Sequence, residues 1–264
     1  MKSATDAAKR VHDGLCTVEE AVQTLRERYP NLASLSRAVS TLRGELRRLG
    51  MDGDDAKLSK EEMDAIHRRR AERLVSASQS VKDVTVLPLL RWACRVLEAS
   101  KDPSTSHLDT IIALALVTGR RHVEVALLGR FYTGSDERHV VFSGQAKSGI
   151  NEHPPYEIPV LAPASDVMAA HVRILPLCEG RTPVDVNNSF NAALNARLRQ
   201  MDPSLHFHDL RTMYTLLTFD VFRPHTFSIN AWGHMVLGHS SLSVSVAYTK
   251  LRIVDIQDIV KERR

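Results

Sequence analysis

Leu32, Leu35, Val39, Leu42, Leu46 and Leu49 recur at intervals of three and four. That spacing lines one face of an α-helix, and a strand of period two cannot bury it on one side. Arg37, Arg43, Arg47 and Arg48 fall mostly off the stripe, and Gly50 stands where a helix ends. Neighbouring helices are delimited by their own end signals. Thr17 followed by Glu20 is a capping-box pattern, and its segment closes at Tyr29-Pro30. Ser59 with Glu62 opens a basic helix, KEEMDAIHRRRAERLV, after the turn-rich linker MDGDDAKL. A further helix follows Pro88.

A boundary is expected at Lys101-Asp102-Pro103. Beyond it, HLDTIIALALVTG reads as an apolar helix broken at Thr118-Gly119 and then resumed. The texture then changes: HVVFSGQAKSG alternates and carries two glycine turn signals, and YEIPVL is also β-like. From TPVDVNNSFNAALNARLRQ onward the pattern is helical again. The expected fold is therefore mainly α with a small β-hairpin or sheet. It divides into a helical N-terminal domain over 1–101 and a second domain over 102–264.

Composition removes several classes. Cys16, Cys94 and Cys178 are scattered and form no CxxC, which argues against a disulfide frame or a thiolate metal site. No window approaches the apolar length of a membrane span, and the start has no signal-peptide core. The net charge is +4. Residues 1–101 hold 19 Lys/Arg against 15 Asp/Glu, and the remainder is balanced at 16 and 16, so the whole excess lies in the helical first part. A mild basic bias of this kind fits either a solvated surface or a polyanion partner.

Four stretches in the second half offer phosphate-binding cations and a nucleophile without an acidic metal cluster. TGRRHVE places Arg120, Arg121 and Glu124 just after the glycine break. GQAKSG puts Lys147 at a hairpin tip. FHDLRTMY sets His208 and Arg211 three apart, on one helical face. LGHSSLSVSVAYTKL carries His239 and, nine positions on, Tyr248. Taken singly, each has a plain structural reading: a core tyrosine, an exposed hairpin lysine, a surface arginine. His206 and His208 form an H-x-H without a third ligand at sensible spacing, so no metal site is expected.

Together and in this order, the stretches resemble the signature of the tyrosine recombinase superfamily, Arg … Lys … His-x-x-Arg … His … Tyr. The resemblance makes Arg121 the first catalytic arginine and Glu124 its companion. Lys147 takes the β-hairpin lysine position, His208 and Arg211 the second box, His239 the third, and Tyr248 the nucleophile. It implies a catalytic domain over 102–264 and a DNA-binding domain over 1–101 that closes a C-shaped clamp on the duplex. RYPNLASLSRAVSTLRGEL, RTMYTLLTFDVF, YTKLRI and the 28 positions from Arg211 to His239 are similar to the telomere resolvases, or protelomerases, within that superfamily. A site-specific recombinase, a type IB topoisomerase and an inactive recombinase-derived DNA-binding protein are the other readings.

The chemistry suits these residue types. A phosphodiester can be broken without metal when a nucleophile attacks in line and the extra negative charge is neutralised. Guanidinium forks bind two phosphate oxygens each. Tyr248 would form a covalent 3′-phosphotyrosine, and Lys147 would protonate the departing 5′-oxygen. His208 would accept the tyrosine proton or hold a phosphate oxygen, and His239 would hydrogen-bond the same phosphate. No cofactor is required. The implied partner is double-stranded DNA with a palindromic or inverted-repeat site, bound by a homodimer, or by a tetramer for a recombinase. Arg120, Arg43, Arg47, Arg48, Arg68, Arg69 and Arg70 are the expected DNA-phosphate contacts. No membrane partner is expected, and the implied location is the cytoplasm, on the DNA of a phage, plasmid or other replicon.

Overall fold

The computed structural model describes residues 3–79, 81–146, 154–222, 226–238 and 250–263, with the side chains of a few further residues in 70–79 left undescribed. They form two compact units, Met1–Ala77 and Ser78–Arg264.

The first unit holds α1 (Ala4–His12), α2 (Val18–Arg28), α3 (Leu32–Arg48) and the start of α4 (Lys60–Gln79). The apolar stripe of α3 lies inward as its spacing requires: Leu35, Val39, Leu42 and Leu46 are buried against α1 and α2. Gly50 takes the left-handed conformation, φ +78°, just past the helix. Both expected capping boxes form. Thr17 N donates to Glu20 Oε2 at 2.9 Å, and Ser59 N to Glu62 Oε2 at 2.7 Å. Glu62 also receives a bidentate pair from Arg26 of α2, at 2.9 and 3.0 Å, which ties α4 to the bundle.

The second unit contains β1 (Lys82–Val84), α5 (Leu87–Glu98), α6 (His107–Thr118), a π-helical turn (Glu124–Leu128), β2 (Arg130–Thr133), β3 (His139–Ser143), β4 (Tyr156–Pro159), α7 (Ala164–Ile174), α8 (Pro183–Met201), α9 (Asp209–Phe222), α10 (Ile229–Leu237), β5 (Leu251–Ile253) and α11 (Ile256–Arg263). Helix α6 is its axis. Every residue from Thr110 to Thr118 is buried, because α5, α7, α8 and α9 surround it. Each leucine or isoleucine so enclosed contributes roughly 1.5–3 kcal/mol. The helix stops at Gly119, φ +68°. A side chain there would strike the Tyr214 ring of α9, so the turn and α9 can pack this closely only through glycine.

Strands β2, β3 and β4 form an antiparallel sheet in sequential order. Alternation puts Val140, Phe142 and Ile158 in the core. The expected β segments are therefore present, with β2 added to them. A second, parallel pair joins β1 to β5, with Asp83 opposite Arg252.

This pairing corrects the expected boundary at residues 101–102. Strand β1 and helix α5 belong to the second unit: Leu90, Ala93 and Leu97 are buried with α6, and Asp255 beyond β5 accepts from the backbone N–H groups of Val86 and Leu87. The Asp102-Pro103 segment is a turn between α5 and α6, closed by Ser104 N on Asp102 Oδ1 at 2.8 Å. No helix among the described residues is long and apolar enough to cross a membrane.

Candidate active site

The chain leaving Gly119 presents two consecutive arginines to opposite environments. The Arg121 side chain is 24% exposed at the edge of a cleft. Its Nη1 donates to Glu124 Oε1 at 2.6 Å, and its backbone N–H to Glu124 Oε2 at 2.8 Å. Glu124 opens the π-helical turn and is fully buried. Its Oε1 also accepts from Ala146 N at 3.1 Å, and its Oε2 lies 3.8 Å from Arg211 Nη1. One carboxylate thus holds the first-box arginine, the second-box arginine and the end of the β3 hairpin arm.

Arg211 sits in the first turn of α9, where Nη1 donates to Gly119 O at 2.5 Å and Nη2 to Leu237 O at 3.0 Å. Burial, and then the like charge of Arg120, push its guanidinium down to about 9, with Glu124 opposing them. Burial alone would raise the Glu124 carboxyl. Arg120, Arg211 and Arg121 outweigh it and hold the group below the usual carboxylate range. Three guanidiniums around one carboxylate leave an excess of positive charge, a combination that an incoming phosphate would relieve.

Arg121 and Arg211 share their cleft, of about 360 Å³, with His208, His206 and His122. His208 is exposed, one residue before α9. His206 lies three residues before the start of the same helix, its backbone N–H donating to Asp209 Oδ2 at 2.8 Å. Asn187, Asn191 and Asn195 line the opposite wall from successive turns of α8. Asn195 Oδ1 accepts from Phe207 N at 3.0 Å and so fixes the backbone just before His208. His122 packs edge-on against Phe207. Burial holds its imidazole below the ordinary histidine range, against a hydrogen bond with Asn187. Nothing in the sequence motifs marked the asparagine wall. Its only signal is the i, i+4, i+8 spacing in an otherwise ordinary helix.

A DNA-phosphate contact was the expectation for Arg120; its side chain lines the cleft but is 1% exposed and bonded to protein acceptors. Nε donates to Thr118 O at 3.1 Å, Nη1 to Tyr156 Oη at 2.7 Å, and Nη2 to Val236 O. The guanidinium also stacks 4.6 Å from the Phe142 ring centroid. A motif shows two adjacent arginines and cannot show which one folds inward.

Lys147, His239 and Tyr248 lie outside the described residues. The residues just before Lys147 and His239 are described. Ala146 precedes Lys147 and is bonded to Glu124. Gly238 precedes His239 and ends α10 in the left-handed conformation, φ 60°. Three side chains meet the last carbonyls of α10: Arg120 at Val236 O, Arg211 at Leu237 O, and Gln145 at Leu237 O and Gly238 O. These are the carbonyls a helix leaves unpaired, at the negative end of its dipole, where cations are favoured.

Of the arginines expected to meet DNA from the first unit, Arg47, Arg48, Arg68 and Arg69 are exposed. Arg47 pairs with Asp54 and Arg48 with Glu45 at the surface. Arg43 is half-buried and donates to Ala56 O at 2.6 Å, holding the linker against α3. The side chain of Arg70 lies outside the described residues.

The fold has known counterparts. A covalent complex of a protelomerase TelA variant with substrate DNA superposes with a TM-score of 0.78 over 94% of this chain and 86% of that one, at 20% identity. A TelA variant complexed with DNA hairpin product gives 0.77 at 20% identity, covering 94% and 85%. Protelomerase TelK complexed with substrate DNA gives 0.65 at 16% identity, covering 95% of this chain and 59% of that one. At such identities the likeness is one of fold. No curated protein matches in sequence. The model of the telomere resolvase ResT/TelK catalytic domain matches residues 80–250, a span that starts just before β1 and includes Arg121 and Arg211. Of the groups the motifs left open, it is therefore the telomere resolvase ResT/TelK catalytic-domain family, of DNA-cleaving and rejoining enzymes, to which this chain belongs.

Proposed function

We propose that this chain binds double-stranded DNA as a dimer on a palindromic site and converts the junction into two covalently closed hairpin ends. The observation that carries this reading is the convergence of Arg121 and Arg211 on one cleft through the buried Glu124, with positive charge in excess. Such a site suits a phosphodiester whose negative charge grows as the nucleophile attacks.

The steps follow from the residue types. The Tyr248 hydroxyl attacks phosphorus and the bond to the 5′-oxygen breaks. Lys147 gives that oxygen its proton. The phosphate remains joined to the tyrosine as a 3′-phosphotyrosine, which keeps the bond energy for rejoining. Arg121 and Arg211 hold the non-bridging oxygens, with His239 as a further donor. His208 receives the tyrosine proton or joins that set. Each freed 5′-hydroxyl then attacks the phosphotyrosine on the opposite strand and releases Tyr248. Glu124 touches no reacting atom. It is a positioning residue that sets the two guanidiniums at one spacing.

Exposed Arg47, Arg48, Arg68 and Arg69 of the first unit add phosphate contacts without base specificity. The natural substrate on this reading is the replicated junction of a linear phage, plasmid or other replicon.

The test is a plasmid carrying the palindrome nearest the gene, incubated with the protein and run on a denaturing gel. Linear DNA that snaps back after boiling supports resolution. Inverted or deleted products with open strands would make the protein a recombinase. Binding to that palindrome without any covalent adduct would leave a DNA-binding protein only.

A further inference from the structure

Two residues bracket the connection between β3 and β4, and both are fastened to the same turn. Gln145 lies at one end, two positions before Lys147. Its Nε2 donates to Leu237 O at 3.2 Å and to Gly238 O. Tyr156 lies at the other end, as the first residue of β4. Its hydroxyl donates to Gln145 Oε1 at 3.3 Å and accepts from Arg120 Nη1 at 2.7 Å. Arg120 closes the circuit by donating to Val236 O. The fit leaves no slack: a Cβ built on Gly238 would strike both Gln145 Oε1 and Tyr156 Oη. Neither residue belongs to the Arg/Lys/His/Tyr set, and neither lines the cleft that holds Arg121 and Arg211.

A glutamine and a tyrosine placed this way do more than support the sheet. Helix α10 needs its last carbonyls satisfied, and a solvent-facing helix end gets that from water at no cost. Here the acceptors are met instead by buried cations and one amide. Arg120 comes from the turn after α6, and Gln145 lies at one end of the Lys147 segment in sequence, with Tyr156 at the other. The consequence is that the two ends of that segment are held at fixed distances from the residue preceding His239.

We infer that Gln145 and Tyr156, through Arg120, are positioning residues for the leaving-group acid. They hold the described ends of the β3–β4 connection at the Gly238 turn, so that Lys147 and His239, which adjoin these anchors in sequence, address the same phosphate. This rests on the chemistry proposed above, in which Lys147 protonates the 5′-oxygen. An acid held loosely loses much of the gain that general-acid catalysis supplies.

Leaving-group chemistry separates this role from general support of the fold. A substrate with sulfur in place of the bridging 5′-oxygen expels a thiolate, which needs no proton. Gln145→Ala and Tyr156→Phe, made in the full chain, are compared with the unaltered protein on the oxygen and sulfur substrates in single-turnover adduct assays. The expected result is a loss of roughly tenfold or more on the oxygen substrate, with near-normal rates on the sulfur substrate and unchanged DNA affinity. Equal losses on both substrates, or no loss on either, would overturn the inference. Tyr156→Phe keeps the ring against Phe142, and thermal melting of each variant identifies a folding defect, which would appear as equal losses. If the unaltered protein forms an adduct on neither substrate, the phosphotyrosine reading itself fails and this inference falls with it. An adduct from the unaltered protein with no oxygen-selective loss overturns the inference alone.

Discussion

Glu124 Oε1 accepts a hydrogen bond from Arg121 Nη1 at 2.6 Å, and the same carboxylate lies 3.8 Å from Arg211 Nη1 through Oε2. The two guanidiniums that would grip a phosphate are therefore spaced by one buried anion, not by two independent surfaces. Substituting Glu124→Gln keeps the shape and removes the charge. Because Arg120 and Arg211 are also buried, the substitution leaves cations uncompensated, and unfolding free energy should fall by about 3–5 kcal/mol. Urea denaturation with an unchanged m-value measures it. A change under ~1 kcal/mol would mean that the carboxylate is not what offsets the buried arginines.

Lysine cannot reproduce a guanidinium fork. Arg121→Lys and Arg211→Lys are each expected to lower single-turnover cleavage by about 10²–10³-fold, the usual effect of removing one donor to developing charge. DNA affinity, carried by many phosphate contacts, should change far less. A filter-binding titration beside the cleavage assay distinguishes the two effects.

The positions of these residues were legible in the sequence because their spacing is local. Thr118, Gly119, Arg121 and Glu124 lie within one turn-and-helix unit, and His208 and Arg211 within another, so a motif can specify each. What was not legible depends on contacts distant in the chain. Strand β1 belongs to the second unit because Lys82–Val84 pairs with Leu251–Ile253, and its Asp83 meets Arg252 169 residues away. No composition shift at residues 101–102 could show that. Arg120 is internal because its acceptors, Tyr156 and Val236, stand 36 and 116 residues away. Helix ends were read well for the opposite reason: the Thr17–Glu20 and Ser59–Glu62 capping boxes are four-residue patterns.

His171 of α7 gives a pH signature independent of the site. It is 2% exposed, with its ring 4.7 Å from Phe131, and burial followed by the charge of Arg130 pushes its imidazole down to about 4. The unfolded chain takes up a proton near the ordinary pKa of ~6.5, before the folded one does. Stability therefore declines as pH falls from about 6.5 towards 4, by roughly 3 kcal/mol from this group. His171→Gln should flatten that part of the stability curve relative to the unaltered protein. Identical slopes in the two proteins would place the acid sensitivity elsewhere.

The exposed pair Arg68 and Arg69 should contribute to binding without selecting sequence. With both replaced by alanine, the slope of log K against log salt should become shallower by about 0.9 for each phosphate the pair neutralises. Anisotropy titrations on specific and non-specific duplexes at several salt concentrations measure this. An unchanged slope would remove these two residues from the DNA interface.

The proposed reaction is covalent attack by Tyr248 without a metal. The most direct measurement incubates the protein and a Tyr248→Phe variant with an end-labelled nicked palindrome in EDTA, then separates protein from DNA in detergent. A labelled protein–DNA adduct is expected from the unaltered chain alone, with both proteins binding the duplex equally well. An adduct that persists in Tyr248→Phe, or cleavage that EDTA abolishes, would contradict it.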